Sequence, residues 1–141
     1  MSTAYNTFMP KLIDLITFTD QRGNLTVVEK VLPFTIKRAF FIYGVDSSKR
    51  GGHRHATTMQ AAICIKGSCR IYCNDGEIEC FHHLDTPSKC LIIDARDWHF
   101  MDQFTPDTIL MVFASTYYVE DDYIFEPYPK KIYSSKHSIE L

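Results

Sequence analysis

Between residues 59 and 115 the chain breaks into short apolar segments, each closed by a turn signal, and this punctuation limits the fold more than any other feature. MQAAICIK (59–66), SCRIYCN (68–74), EIECFHHL (77–84), KCLIIDA (89–95), WHFMDQF (98–104) and TILMVFAS (108–115) are divided chiefly by Gly67-Ser68, Asn74-Asp75-Gly76, Arg96-Asp97 and Pro106-Asp107. Segments this short, rich in β-branched and aromatic residues, read as strands. Asp75-Gly76 is a signal for a two-residue hairpin. Upstream, FTIKRAFFIYGV (34–45) reads as a strand with Ile36, Arg38 and Phe40 on one face and Lys37, Ala39 and Phe41 on the other. LTVVEK (25–30) is a short strand after the Asp20–Asn24 turn, and residues 11–18 alternate loosely. With no long amphipathic helix in view, the pattern predicts an all-β chain built as an antiparallel sandwich or barrel. The tail from Tyr117, YYVEDDYIFEPYPKK, is expected to form a turn of helix or an extended arm.

At 141 residues the chain is expected to be one domain, its core spanning about 12–126 and its tail 127–141. A formal net charge of −2 with no basic run argues against charge-driven binding to nucleic acid or an anionic membrane. No secretory signal and no apolar run of the ~20 residues a membrane helix needs is visible, so a cytoplasmic protein is expected. The five cysteines form no CxxC pair, which points to neither a zinc knuckle nor a redox dithiol. Cys64 and Cys80, in apolar runs, are expected to behave as small buried hydrophobes.

The chemistry concentrates in RGGHRHATTMQAAICIKG (50–67). On a strand, residues i and i+2 share a face, so His53 and His55 point one way and Arg54 the other. Two imidazoles side by side can move a proton or hold a metal, and a purely structural core would have to satisfy each buried ring nitrogen. His99, beside the only tryptophan, Trp98, is a third candidate. Arg38, a guanidinium carried in an apolar strand, is a further candidate. His82 and His83 are expected to be structural with one ring exposed, and His137 to be solvated.

The spacing His53-x-His55, four residues, Gln60, six residues, Gly67 resembles the first motif of the cupin superfamily, HxH-x4-E-x6-G, with Gln60 in the place of the metal-binding Glu. A neutral amide is a weaker cation ligand than a carboxylate. Three histidines alone still suffice for zinc, but a metal-free proton-transfer site is the favoured expectation. The string IKRAFFIYGV, RGGHRH, Gln60, IKGSCRIY, NDG, DWH and AS-YY–DDYI is similar to the thymidine-diphosphate-sugar 3,4-ketoisomerases, small cupin-fold enzymes of bacterial surface-sugar synthesis.

That resemblance, over roughly residues 12 to 126, implies a cupin-type antiparallel barrel (jelly roll). It also implies a cofactor-free isomerase moving the carbonyl of a dTDP-4-keto-6-deoxyhexose from carbon 4 to carbon 3, and a homodimer with exchanged N-terminal strands. His53 and His55 are then the catalytic pair, with base and relay left unassigned between them. Arg22, Arg38, Gln60, Trp98 and His99 are expected to bind substrate, and Arg22 with His99 resembles members giving the galacto-configured product. Phe40 and Phe41 stand where some relatives carry tyrosines, so a phenolic donor is missing unless Tyr43 or a tail tyrosine replaces it. Other readings of the same histidines are an epimerase-like cupin, a non-catalytic sugar-nucleotide-binding cupin and a metal-dependent dioxygenase.

Overall fold

The burial pattern divides the strands into two kinds, and the division explains how the sheets stack. In the computed structural model, which describes residues 11–130, twelve strands follow in order. They are β1 Leu12–Asp14, β2 Ile16–Asp20, β3 Gly23–Val27, β4 Arg38–Ile42, β5 Arg50–His55, β6 Gln60–Lys66, β7 Cys69–Asn74, β8 Glu79–Leu84, β9 Lys89–Ile93, β10 Trp98–Asp102, β11 Ile109–Ala114 and β12 Tyr123–Ile124. A single 3-10 turn, Glu120–Asp122, is the one helical element among the described residues. One five-stranded sheet runs β1-β9-β6-β11-β4, a second runs β12-β5-β10-β7-β8, and β2 pairs with β3 as a separate hairpin. Every ladder is antiparallel.

The first sheet is covered on both faces. Ala62 and Cys64 of β6, Leu91 and Ile93 of β9, and Leu110 and Val112 of β11 meet Ile71 and Cys73 of β7, Leu84 of β8 and Met101 of β10 from the second sheet. The other face buries Ala61, Ile63, Cys90 and Ile92 beneath Leu15, Val28, Leu32 and Phe34. Double coverage is why β6 and β9 are continuous apolar runs rather than alternating ones. Strands β7 and β10 do alternate, because only their inner face is covered. Two antiparallel sheets packed face to face make the cupin-type jelly roll expected from the sequence.

Several expected boundaries shift. Regular pairing in the 34–45 segment is confined to Arg38–Ile42, and Ile36 is exposed outside it. The aromatic content that suggested a longer strand serves instead to cover the sheet, since Phe34 packs into the outer cluster. The expected strand 25–30 ends at Val27, and residues 11–18 split into β1 and β2 around buried Leu15, whose N–H donates to the Ser88 carbonyl. The Asp75-Gly76 hairpin is real, but Asn74 pairs with Glu79, leaving a four-residue loop rather than two. There the Asp75 side chain accepts from the N–H groups of Glu77 and Ile78 and holds the wider turn. Cys64 is buried as expected; Cys80 is exposed although it pairs with buried Cys73 and shares the inner face with Leu84, because it lies near the start of the edge strand β8, beyond the cover of the core. His83 is exposed and His82 half-buried. His137 and the end of the tail lie outside the described residues.

Candidate active site

A glycine pair sets the histidine strand in place. Gly51 and Gly52 have φ of +89° and +88°, a region open chiefly to glycine. A Cβ at Gly51 would stand 3.1 Å from the His99 carbonyl oxygen and 3.1 Å from the Phe100 Cα. Their absence lets β5 lie close against β10 across a register shift that places His53 opposite His99. Strand periodicity then puts His55 on the same inner face.

The three rings form one cluster. Centroids of His53 and His55 are 5.1 Å apart, those of His53 and His99 4.9 Å, and those of His55 and His99 6.0 Å. Tyr123, on β12 beside β5, lies 4.7 Å from each of His53 and His55. His55 and His99 are buried, while His53 is half-buried and is the ring nearest solvent. His99 Nδ1–H donates to the Asp97 carbonyl at 3.0 Å, and His55 Nδ1 meets the Asp122 carboxylate at 2.9 Å.

Burial favours the neutral form of all three rings. It lowers His53 to about 4, with nearby His55 adding to the effect. It lowers His99 to about 3, reinforced by His53 and His55. His55 is also lowered by burial, which outweighs the hydrogen bond and charge of Asp122; Arg38 adds to the lowering. Burial alone would raise the Asp122 carboxyl. Hydrogen bonds from Thr58, from the Thr57 N–H and hydroxyl, and from His55 outweigh that and keep it well below the usual carboxylate range.

Facing these rings is the inner surface of the first sheet. Ala114 pairs with Arg38 on one side and Gln60 on the other, so Arg38, Ala114 and Gln60 form one row across three strands, with Arg38 and Gln60 about 10 Å apart. Arg38 stacks over Phe40 at 5.5 Å and Tyr118 at 5.6 Å. Three buried atoms here have no hydrogen-bond partner among the described residues: Arg38 Nε, Gln60 Oε1 and His55 Nε2. Unpaired buried polar atoms are costly unless a ligand satisfies them.

Metal binding was one reading of the histidines. Ligand atoms of His53, His55 and His99 lie within 4.8 Å of one another. Three imidazoles on tetrahedral zinc, at bond lengths of ~2.0–2.1 Å, hold their nitrogens about 3.3 Å apart, so the rings would have to draw together to share an ion.

The structure thus gathers His53, His55, His99, Arg38 and Gln60, and leaves two expected site residues elsewhere. Arg22 sits at the turn between β2 and β3, with its side chain 87% exposed and paired to Asp20 at 2.6 Å. Trp98 lies on the outer face of the second sheet, since neighbours on a strand point opposite ways and His99 points in. Its Nε1 donates to the Phe125 carbonyl, and with Tyr72 and Tyr128 it lines an outer groove of about 510 Å³. Asp122, Thr57, Thr58 and Tyr123 carry no assignment from sequence reasoning. Asp122 lies 67 positions from the histidine it touches, and only the DDYI string hinted at it.

A two-sheet jelly roll enclosing neutral imidazoles, an arginine and unpaired polar atoms defines a cupin-type site suited to proton transfer on a polar, anionic substrate. Residues 9–133 match the family described as FdtA: WxcM-like, C-terminal, and the chain belongs to that family. It is 38% identical over 133 residues to the TDP-4-oxo-6-deoxy-alpha-D-glucose-3,4-oxoisomerase of Aneurinibacillus thermoaerophilus, covering 92% of this chain and 96% of the relative. A 3,4-ketoisomerase from Helicobacter canadensis superposes with a TM-score of 0.79 at 35% identity, over 82% of this chain and 90% of that one. The QdtA 3,4-ketoisomerase from Thermoanaerobacterium thermosaccharolyticum, solved as a histidine-to-asparagine variant with TDP-4-keto-6-deoxyglucose, gives a TM-score of 0.78 at 38% identity, over 82% and 86% of the two chains.

Proposed function

We propose that this chain is a sugar-nucleotide 3,4-ketoisomerase, converting a dTDP-4-keto-6-deoxyhexose to its 3-keto isomer in the making of unusual deoxy and amino sugars of bacterial surface polysaccharide. The observation that carries this reading is the cluster of uncharged His53 and His55, with buried unpaired polar atoms facing it. Moving a carbonyl between adjacent carbons passes through an enediol. One proton leaves carbon 3, one arrives at carbon 4, and the hydroxyl proton moves from the carbon 3 oxygen to the carbon 4 oxygen. A neutral imidazole can accept the first and return the second, so His53 and His55 serve as base and relay. His99, Gln60 and Arg38 bind around them, Arg38 toward the diphosphate, while His99, whose Nδ1–H is taken by the Asp97 carbonyl, offers its bare Nε2 to a sugar hydroxyl.

Trp98 and Arg22 enter this reading differently. Trp98, on the outer face, reaches substrate only at the rim by the Phe125 segment. Arg22 reaches a site as a contribution from a second copy, in a homodimer with exchanged N-terminal strands. Support for that assembly comes from the β2–β3 hairpin, where Ile16, Phe18 and Leu25 are 60–63% exposed, an apolar surface that a partner would cover. Arg22 with His99 favours the galacto-configured product. The enzyme works as one domain in the cytoplasm and without a metal, and no helix among the described residues is long and apolar enough to cross a membrane.

Proton NMR of dTDP-4-keto-6-deoxyglucose with the enzyme in heavy water tests the activity. A 3-keto product carrying deuterium is expected. Exchange at carbons 3 and 5 with the carbonyl still at carbon 4 would mean an epimerase instead, and binding without exchange a non-catalytic protein. Stoichiometric iron or zinc in the purified enzyme would overturn the metal-free reading.

A further inference from the structure

We propose that Asp122 is a positioning residue for this reaction: it holds His55 in the tautomer with hydrogen on Nδ1 and so presents the bare Nε2 lone pair to the sugar. An ionised carboxylate only accepts hydrogen bonds. At 2.9 Å from Asp122 Oδ2, His55 Nδ1 therefore carries the hydrogen, and Nε2 is the free base nitrogen. That Nε2 is buried with no hydrogen-bond partner among the described residues. His53 offers a contrast: its ring packs against those of His55, His99, Tyr123 and Phe125, and no carboxylate among the described residues bonds to it. His55 is thus the member of the pair whose tautomer a carboxylate decides, and the one whose transient imidazolium a carboxylate stabilises.

The carboxylate is itself fixed from several sides. Oδ1 accepts from the Thr57 N–H at 2.8 Å and the Thr57 hydroxyl at 2.9 Å, and Oδ2 accepts from the Thr58 hydroxyl at 2.5 Å. Its backbone carbonyl accepts from the Ala56 N–H at 2.8 Å, and the next residue, Tyr123, pairs with His55. A peg joining the tail to the β5–β6 loop would need some of these contacts. It would not need the bond to His55, and that bond is what the test isolates.

The inference takes the reaction from the proposed function, but the tautomer is read without any substrate. Histidine-labelled wild-type enzyme, examined by two-dimensional 15N NMR at pH 7.5, is expected to show His55 protonated at Nδ1 and bare at Nε2. Asp122→Asn should shift that ring toward the other tautomer and lower kcat by at least ~10²-fold with little change in KM. Asp122→Glu, which restores the carboxylate, should recover part of kcat and the tautomer together. Thr58→Val, which removes one donor and leaves the carboxylate, should keep the tautomer. An Nε2-protonated His55 in wild type overturns the proposal, and this holds even if Asp122→Asn fails to fold. So does a folded Asp122→Asn enzyme with wild-type kcat. A correct tautomer in an enzyme forming no 3-keto product would count against the isomerase reading and leave the positioning of His55 standing.

Discussion

Acid should destabilise this protein through a ring that touches no solvent, and replacing His99 with Gln measures the effect. His99 is 1% exposed, and burial lowers it to about 3, against 6.5 in the unfolded chain. The folded state therefore binds fewer protons than the unfolded one as pH falls below 6.5. The stability tied to the neutral ring is whole above 6.5 and is lost progressively toward 3. Over the full window the gap corresponds to ~5 kcal/mol, and at pH 5 about 2 kcal/mol is already gone. Urea unfolding of wild type and His99→Gln at pH 7.5 and 5.0 isolates this group, because glutamine stays neutral at both. Wild type should lose about 2 kcal/mol more than the variant between the two, roughly a 1 M larger drop in urea midpoint. His53, lowered to about 4, adds to the acid sensitivity of both proteins and leaves the difference to His99. Equal losses would show that His99 titrates normally in the fold, and the neutral cluster would have to be abandoned.

Four further outcomes follow from the same geometry. His53→Asn and His55→Asn should each reduce turnover by at least ~10²-fold in the heavy-water assay, and unchanged rates in both would remove the pair from the mechanism. Gly67→Ala should cost at least ~1–2 kcal/mol in urea unfolding, because φ is +72° and the new Cβ would meet Thr105 Oγ1 and stand 2.9 Å from the Thr108 Cα. Leu110→Ala, emptying a fully buried position between the sheets, should cost ~2–5 kcal/mol, visible in the same experiment. Arg22→Ala should leave the melting temperature unchanged while lowering kcat/KM, and wild-type kinetics in that variant would remove Arg22 from any site.

Much of the site was legible because strand chemistry repeats every two residues. His53 and His55 had to share a face, and Arg38 had to share one with Phe40. The same rule left Trp98 open. It and His99 are neighbours, so only one of them can point inward, and nothing local says which. Only packing decides: Trp98 stands against Tyr72 and Phe100 on the outer face, and His99 against the Asp97 carbonyl within. The segment around Phe34 shows the limit from the other side, since aromatic content registers burial without saying whether pairing or coverage provides it.

What the sequence determined by itself was local: strands with their faces, turns with their glycines, and a pair of imidazoles bound to lie side by side. These follow from backbone geometry over a few residues. What tertiary structure alone decided was which chain segments meet. The closing of the second sheet sets Tyr123 against His55 and turns Asp122 onto its ring, and stacking the sheets brings Arg38 and Gln60 to face the cluster. Such contacts depend on how layers bury their apolar faces, a property of the whole fold that no short window of residues records.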